Sequence, residues 1–372
     1  MGDVQVQRGV VAVYSDPGRG FAHSHERATR EGIARQLAAL KGFEFVGEYE
    51  PSTRSRYPGP VYLVPSDTLV GLGAAATLGV RDEHDLFGGV VPQAFVATKA
   101  ITHPLVSPDA TASPGWSPGF GHRVRGAVLS GFTAFAPADA RRAGKLLLER
   151  GPVRVKPVRA TGGRGQVVVS DMATLEAALG RVEAVTFSDD GLVLEENLAA
   201  VTTYSVGQVR VAELVATYCG TQRLTPDNSG VAVYGGSELF VARGGFEALV
   251  ELGLPEEARL AVSQAQVYDA AAVECFAGMF ASRRNYDVAQ GSDATGRPRC
   301  GVLEQSWRVG GASGAELAAL EAFRAEPELR TVRAATVEIY GEAAPPPPNA
   351  TVYFRGVDER DGAMTKYAMV AA

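Results

Sequence analysis

Lys156 closes a short apolar strand, Val153–Val155, and is followed by Gly162, Gly163 and Gly165 and then by a second apolar strand, Val167–Val169. Glycines let a turn adopt positive φ and leave no side chain between the backbone and a ligand. Backbone N–H groups in such a turn can point at phosphate oxygens, and a lysine beside it adds a positive charge. No Gly-Lys-Ser/Thr follows the glycines and no helix follows directly, so this is not a Walker loop. The pattern is a strand–loop–strand phosphate clamp, which makes a nucleotide the first ligand to consider. Arg164, at the tip of the turn, could meet an anion or only water.

Two further segments carry chemistry. LVLEENL, residues 192–198, is an apolar strand that runs into Glu195 and Glu196. RRNYDVAQGSDATGRPRCGVLEQSWRVGG, residues 283–311, reads as two strands around a polar turn, with Asp287 on the first and Glu304 on the second. Magnesium takes oxygen ligands and commonly uses one or two carboxylates together with substrate phosphates. Strand alternation puts Glu304 and Ser306 on one face and Gln305 on the other. Arg308 follows four residues after Glu304, and Arg283 and Arg284 precede Asp287. A preorganised guanidinium there suits an acyl phosphate or a tetrahedral oxyanion.

Taken in this order, Lys156, the glycine turn, Glu195-Glu196 and the 283–311 segment resemble the ATP-grasp superfamily. GGRGQ is similar to the glycine turn of biotin carboxylases, and LEQSWRVGG to the superfamily's metal-binding strand. The whole chain, with ATKAITHPL and YCGTQRLTPDNSG, also resembles a bacterial family of unknown function placed near these enzymes. The resemblance implies Mg-ATP as cofactor. It implies that Lys156 reaches the ATP phosphates, joined by a second lysine for which Lys99 is the best match. Glu195 would accept from the adenine amino group, with Glu196, Asn197 and Leu198 completing the hinge. Asp287, Glu304 and Ser306 would hold the metal, Ser306 standing where the family usually has Asn. Arg308 and Arg284 would stabilise charge on the reacting groups. An acid that holds the ribose usually lies a few residues after the hinge, but here that region reads AAVTTYSV, so Thr202 or Thr203 would have to serve.

The implied fold is of the α+β and α/β kind: two α+β subdomains sandwich ATP and follow a small α/β domain. The expected boundaries are 1–98 for that domain, 99–190 for the subdomain with the glycine turn, 191–342 for the subdomain with the metal site, and 343–372 for a C-terminal strand pair or tail. The implied reaction is activation of a small-molecule carboxylate as an acyl phosphate for attack by an amine or similar nucleophile. A kinase using the same cleft, and a nucleotide-binding protein without turnover, stay open as alternatives.

The elements that must position these groups are legible in outline. GVVAVY, residues 9–14, reads as a buried strand. A helix is expected from Ser24 to about Leu40, with Ile33, Leu37 and Leu40 on one face and Gly42 as its stop. Strands at 43–46 and 61–64 and a helix over 68–78 complete an α/β unit with a mostly parallel sheet. Residues 107–121 read as a linker, 137–150 and 171–181 as helices, and 255–280 as an alanine-rich helix. The polar stretch 217–230 reads as a lid or a plain connection. In SHERAT, residues 24–29, Glu26 fits an ordinary helix N-terminus better than a ligand site. Pro345–Pro348 precedes a last strand pair that could cover a sheet edge or a neighbouring subunit, which leaves a homodimer open.

Composition bounds the rest. The chain has 372 residues, is 46% apolar and 21% charged, and carries a net charge of −6 without a long basic run, so nucleic acid is not an expected partner. Cys219, Cys275 and Cys300 lie far apart and form neither a metal pattern nor a disulfide framework, and Cys219 has no paired histidine. No stretch of about 18 apolar residues and no basic-then-apolar leader is present, so a cytoplasmic protein without membrane insertion is expected.

Overall fold

The computed structural model describes residues 9–16, 23–159, 165–182, 186–187, 190–342 and 344–371. The chain starts with β1 (Val10–Tyr14), α1 (Ser24–Lys41), β2 (Glu44–Glu48) and β3 (Val61–Pro65). These strands form a parallel sheet in the order β2-β1-β3, as alternating strand and helix patterns require. Helix α1 buries Ile33, Ala34 and Leu37 and ends at Gly42, whose φ of 67° continues the chain in the left-handed region. The helix expected over 68–78 is shorter: β4 (Leu69–Val70) comes first and α2 covers only Leu72–Thr77. Gly71, at φ 87°, separates them and breaks the helical run.

Next come β5 (Gly89–Val91), α3 (Pro118–Arg123), β6 (Gly131–Ala134), α4 (Pro137–Leu148), β7 (Val153–Pro157), β8 (Val167–Val169), α5 (Met172–Leu179) and β9 (Leu192–Glu196). Strands β6, β9, β7 and β8 form an antiparallel sheet in that order. Helices α4 and α5 cover it through Ala140, Ala143, Leu147 and Leu175. Strand β9, which follows residue 190, is an inner strand of this sheet.

The rest is built on one sheet of eight strands: β10 (Ala199–Val211), β11 (Leu214–Pro226), β12 (Ala232–Arg243), β14 (Arg283–Ser292), β15 (Pro298–Ser306), β16 (Thr331–Tyr340), β17 (Thr351–Asp358) and β18 (Gly362–Val370). Their order is β15-β14-β10-β11-β12-β16-β18-β17. Helices α6 (Phe246–Val250), α7 (Glu256–Cys275) and α8 (Ser313–Ala325) connect them, and the short β13 (Phe280–Ala281) pairs with β5. Adjacent residues of β14 show that α7 and α8 lie on opposite faces: Arg284 bonds Asp269 of α7, whereas Arg283 bonds Glu316 of α8.

One sequence expectation is corrected here. The 217–230 stretch is most of β11 and its turn into β12, since alternating residues pair with β10 on one side and β12 on the other. After Pro345–Pro348, β18 pairs along β16 and carries β17 on its other edge, so these two strands form one edge of the large sheet. The turn between those two strands reaches the start of α1. Asp358 accepts from the Ser24 hydroxyl at 2.9 Å and the His25 N–H at 3.1 Å, and Glu359 from the Ser24 N–H at 3.1 Å. Carboxylates satisfy the N–H groups that a helix start leaves open and complement its dipole.

Candidate active site

A cleft of about 630 Å³ opens between the four-stranded sheet and the α8 face of the large sheet. Lys99, Lys156, Glu195, Asp287, Glu304 and Arg308 all line it. The chain thus gathers residues more than two hundred positions apart around one space.

At one wall β14 and β15 place Asp287 directly opposite Glu304 in the antiparallel register, and Asn285 opposite Ser306. The register slips just after Asp287, a bulge of the kind that re-aims side chains beside a site. Asn285 Nδ2 donates to Asp287 Oδ1 at 2.9 Å. Burial pushes the Asp287 carboxyl up to about 6, with the charge of Glu304 adding to the effect. Lys99 Nζ lies 2.7 Å from Glu304 Oε2. Two facing carboxylates, one of them paired with Lys99, fit a hard divalent cation that also meets phosphate oxygens. Ser306 lines the cleft, and its Oγ accepts from Arg283 at 3.2 Å, which takes one of the hydroxyl's two acceptor positions.

Arg283 is the arginine that faces this wall. It is buried in a bidentate contact with Glu316 and also donates to the carbonyls of Ser306 and Arg308. Tyr218 adds a hydrogen bond to Glu316 at 2.6 Å. Arg284 does not reach the cleft: its guanidinium lies on the other face of β14, 3.1 Å from Asp269 Oδ2. Alternation contained this signal, since Arg283 and Asp287 are four apart and share a face while Arg284 does not. Arg308 lines the cleft just beyond the end of β15, 3.4 Å from Asp67 of the N-terminal unit.

The opposite wall belongs to the four-stranded sheet. Lys156 of β7 forms an ion pair with Glu195 of β9, and His103 Nε2 lies 3.1 Å from the other oxygen of the same carboxylate. All three are buried, with His103 at 0% and Glu195 at 1% exposure. Burial opposes charge on Glu195, but Lys156 and His103 outweigh it and hold the carboxyl down to about 2. His103 therefore meets an ionised acid and donates through Nε2. Gly131 makes room for its ring, because a Cβ there would stand 2.7 Å from His103 Cε1. No sequence pattern marked His103, whose partner is 92 positions away.

The hinge expected at Glu195–Leu198 divides between cleft and scaffold. Glu195, Glu196 and Leu198 line the cleft, and Asn197 lies behind it. The Asn197 N–H donates to the Pro152 carbonyl and its side-chain oxygen accepts from Arg154 at 2.7 Å, so neither is directed at a base. The Glu196 carboxylate is held by Arg299 and by the Ser130 N–H. Of the two threonines considered for the ribose, Thr203 lines the cleft. Gly165 has φ 70°, as the end of a glycine turn requires, while Gly162 and Gly163 lie outside the described residues, as does Arg164. Cys219 is buried and its thiol is pushed up to about 12 by that burial, which suits a packing role. Among the described residues no helix is long and apolar enough to cross a membrane.

A family profile described as "Protein of unknown function (DUF3182)" matches residues 13–368. No curated protein matches the sequence. Similar solved structures include an N5-carboxyaminoimidazole synthetase from Staphylococcus aureus complexed with ADP, with a TM-score of 0.53 at 8% identity over 97% of this chain and 93% of that one. A biotin carboxylase–ATP complex from Campylobacter jejuni follows with 0.52 at 11% identity over 98% and 87%. A phosphoribosylamine–glycine ligase from Thermotoga maritima gives 0.50 at 15% identity over 98% and 90%. These are ATP-grasp enzymes, and the chain has their fold.

Proposed function

For this chain, which belongs to the family described as a protein of unknown function, DUF3182, we propose an ATP-dependent ligase of ATP-grasp type that activates a small-molecule carboxylate as an acyl phosphate for attack by an amine or similar nucleophile. The observation that carries this reading is the placement of Asp287 and Glu304 as direct cross-strand partners in a cleft that also holds Lys99, Lys156 and Arg308. The fold is that of ATP-grasp enzymes, which supports the nucleotide but not any particular substrate.

Asp287 and Glu304 are the residues that would hold Mg²⁺, which when bound supplies charge neutralisation at the nucleotide phosphates. Lys99 and Lys156 add positive charge on either side. Lys99, now 2.7 Å from Glu304, would be the lysine available to a phosphate if Glu304 held the cation. Glu195 fixes Lys156 from below, so the ammonium is aimed without a loss of side-chain freedom on binding. Arg308 faces the acid being activated, where a guanidinium stabilises developing oxyanion charge. In phosphoryl transfer such positioning and charge compensation supply most of the rate enhancement.

A nucleotide-binding protein without turnover is the second reading. It is favoured by Ser306 standing where the superfamily usually has Asn, with one acceptor position of its hydroxyl already taken by Arg283. Titration of ATP with and without Mg²⁺, followed by a screen of acids and amines for ADP release, separates the two. Mg-dependent binding with ADP release supports the ligase. Binding with no release across the screen favours the second reading, and no binding overturns both.

A further inference from the structure

Arg30 of α1 is a buried cation in the same cleft that nothing above employs. It is 9% exposed and lines the cleft with Thr29, Ser66 and Arg308. Its one hydrogen bond among the described residues is a long one, from Nη1 to Ser15 Oγ at 3.4 Å. No carboxylate among the described residues lies within ion-pair distance of it. Glu48 and Glu26 act on it only from further away, against the like charges of Arg27 and Arg308. Arg308 faces the same space; its side chain is 30% exposed, lies 3.4 Å from Asp67 Oδ1, and feels Glu304, Glu26 and Asp287 as well as Arg283 and Arg30. Burial pulls both guanidiniums below their ordinary range. A buried charge without a close partner is costly, so Arg30, with the Arg308 guanidinium facing the same space, marks a place where an anion is expected.

A second feature points the same way. Helix α8 starts at this end of the cleft with no side-chain cap, and Gly310, Gly311 and Ala312 before it line the space. A positive dipole end favours negative charge, and here Ser313 Oγ takes only the Gly310 N–H while Glu316 of the first turn is turned to Arg283.

We propose that Arg30 and Arg308 form a two-guanidinium subsite that holds a carboxylate of the substrate between the N-terminal unit and the start of α8. This rests on the ligase reading and deepens it: the substrate is an organic acid, and α1 of the N-terminal unit selects it. Arg30 is a binding residue rather than a catalytic one.

The test titrates malonate, and separately inorganic phosphate, into the full chain by calorimetry, for the native protein and for R30Q and R30K. Malonate binding that weakens about 10-fold or more in R30Q, with a smaller loss in R30K, is the expected result. Equal malonate affinity in all three, or none in the native protein, overturns the subsite. Phosphate bound more tightly than malonate with the same dependence on Arg30 overturns the carboxylate assignment. If R30Q fails to fold, R30K decides: reduced malonate affinity at native thermal stability supports the subsite, and unchanged affinity overturns it. Mg-ATP titration of the same samples separates this from the ligase reading. Arg30-dependent malonate binding without Mg-ATP binding sinks the ligase and keeps the subsite, and Mg-ATP binding with Arg30-independent malonate binding does the reverse.

Discussion

Lys99 Nζ sits 2.7 Å from Glu304 Oε2, so the cleft's second lysine and its first metal candidate satisfy each other across 205 positions of chain. On the proposed function, a cation held by Glu304 would leave Lys99 for the phosphates. Glu304→Gln keeps the shape but removes the charge. It is expected to weaken Mg-dependent ATP binding by about 10- to 100-fold while leaving the circular dichroism spectrum unchanged. Native affinity in this variant would show that the metal lies elsewhere.

Lys156→Ala does more than remove a ligand contact. It leaves Glu195 buried with only His103, and breaking a buried pair from one side costs about 3–5 kcal/mol. The double variant Lys156→Met/Glu195→Gln carries no uncompensated charge and is expected to recover most of that loss. Urea unfolding of the native protein and the two variants measures it, and equal stability of the single and double variants would contradict the pairing.

Acid should act on the same group. The Glu195 carboxyl is held down to about 2, below its ordinary value. A depressed carboxyl contributes stability that is complete above the unfolded-chain value and is lost as pH falls through the folded one. The native protein should therefore lose stability between about pH 4.5 and pH 2 more steeply than Glu195→Gln. Parallel pH profiles for the two would count against it.

Asp287 has the opposite sign. Its carboxyl is raised to about 6, so the folded chain holds that proton more tightly than the unfolded one. Its contribution falls as pH rises from the ordinary carboxylate range through 6. Without Mg²⁺, Asp287→Asn is expected to melt higher than the native protein at pH 8, with the gap closing below about pH 4. A lower melting temperature at pH 8 would show that the ionised carboxylate is stabilised.

Arg283 and Arg284 should separate cleanly. Arg283→Ala removes the buried partner of Glu316 and is expected to cost about 3–5 kcal/mol. Arg284→Ala opens a partly exposed contact with Asp269 on the far face and should cost about 1 kcal/mol or less, with nucleotide binding intact. A loss of ATP affinity in Arg284→Ala would return that residue to the site.

Much of this was legible in the sequence because it is local. Alternation alone put Glu304 and Ser306 on one face, and strand–turn–strand spacing made Asp287 and Glu304 neighbours. The ion pairs were not legible, since Lys99–Glu304 and His103–Glu195 join residues no local pattern connects. Asn197 fitted a hinge by position, but its N–H and side chain are committed to Pro152 and Arg154, which only the packing of β7 against β9 decides. The terminal strand pair was legible as strands, but not which edge it would cover; the ladder of backbone partners that β16 offers β18 decides that.

The contact of Asp358 and Glu359 with Ser24 and His25 sets an order of events during synthesis. Helix α1 leaves the ribosome early, but the turn that seats its first residues emerges more than three hundred residues later. At about 5–20 residues per second that interval is tens of seconds. Until then the wall carrying Arg30 lacks its anchor, so ribosome-arrested chains ending before residue 351 should be cleaved by protease near residues 24–30, and chains extended past residue 370 should be protected there.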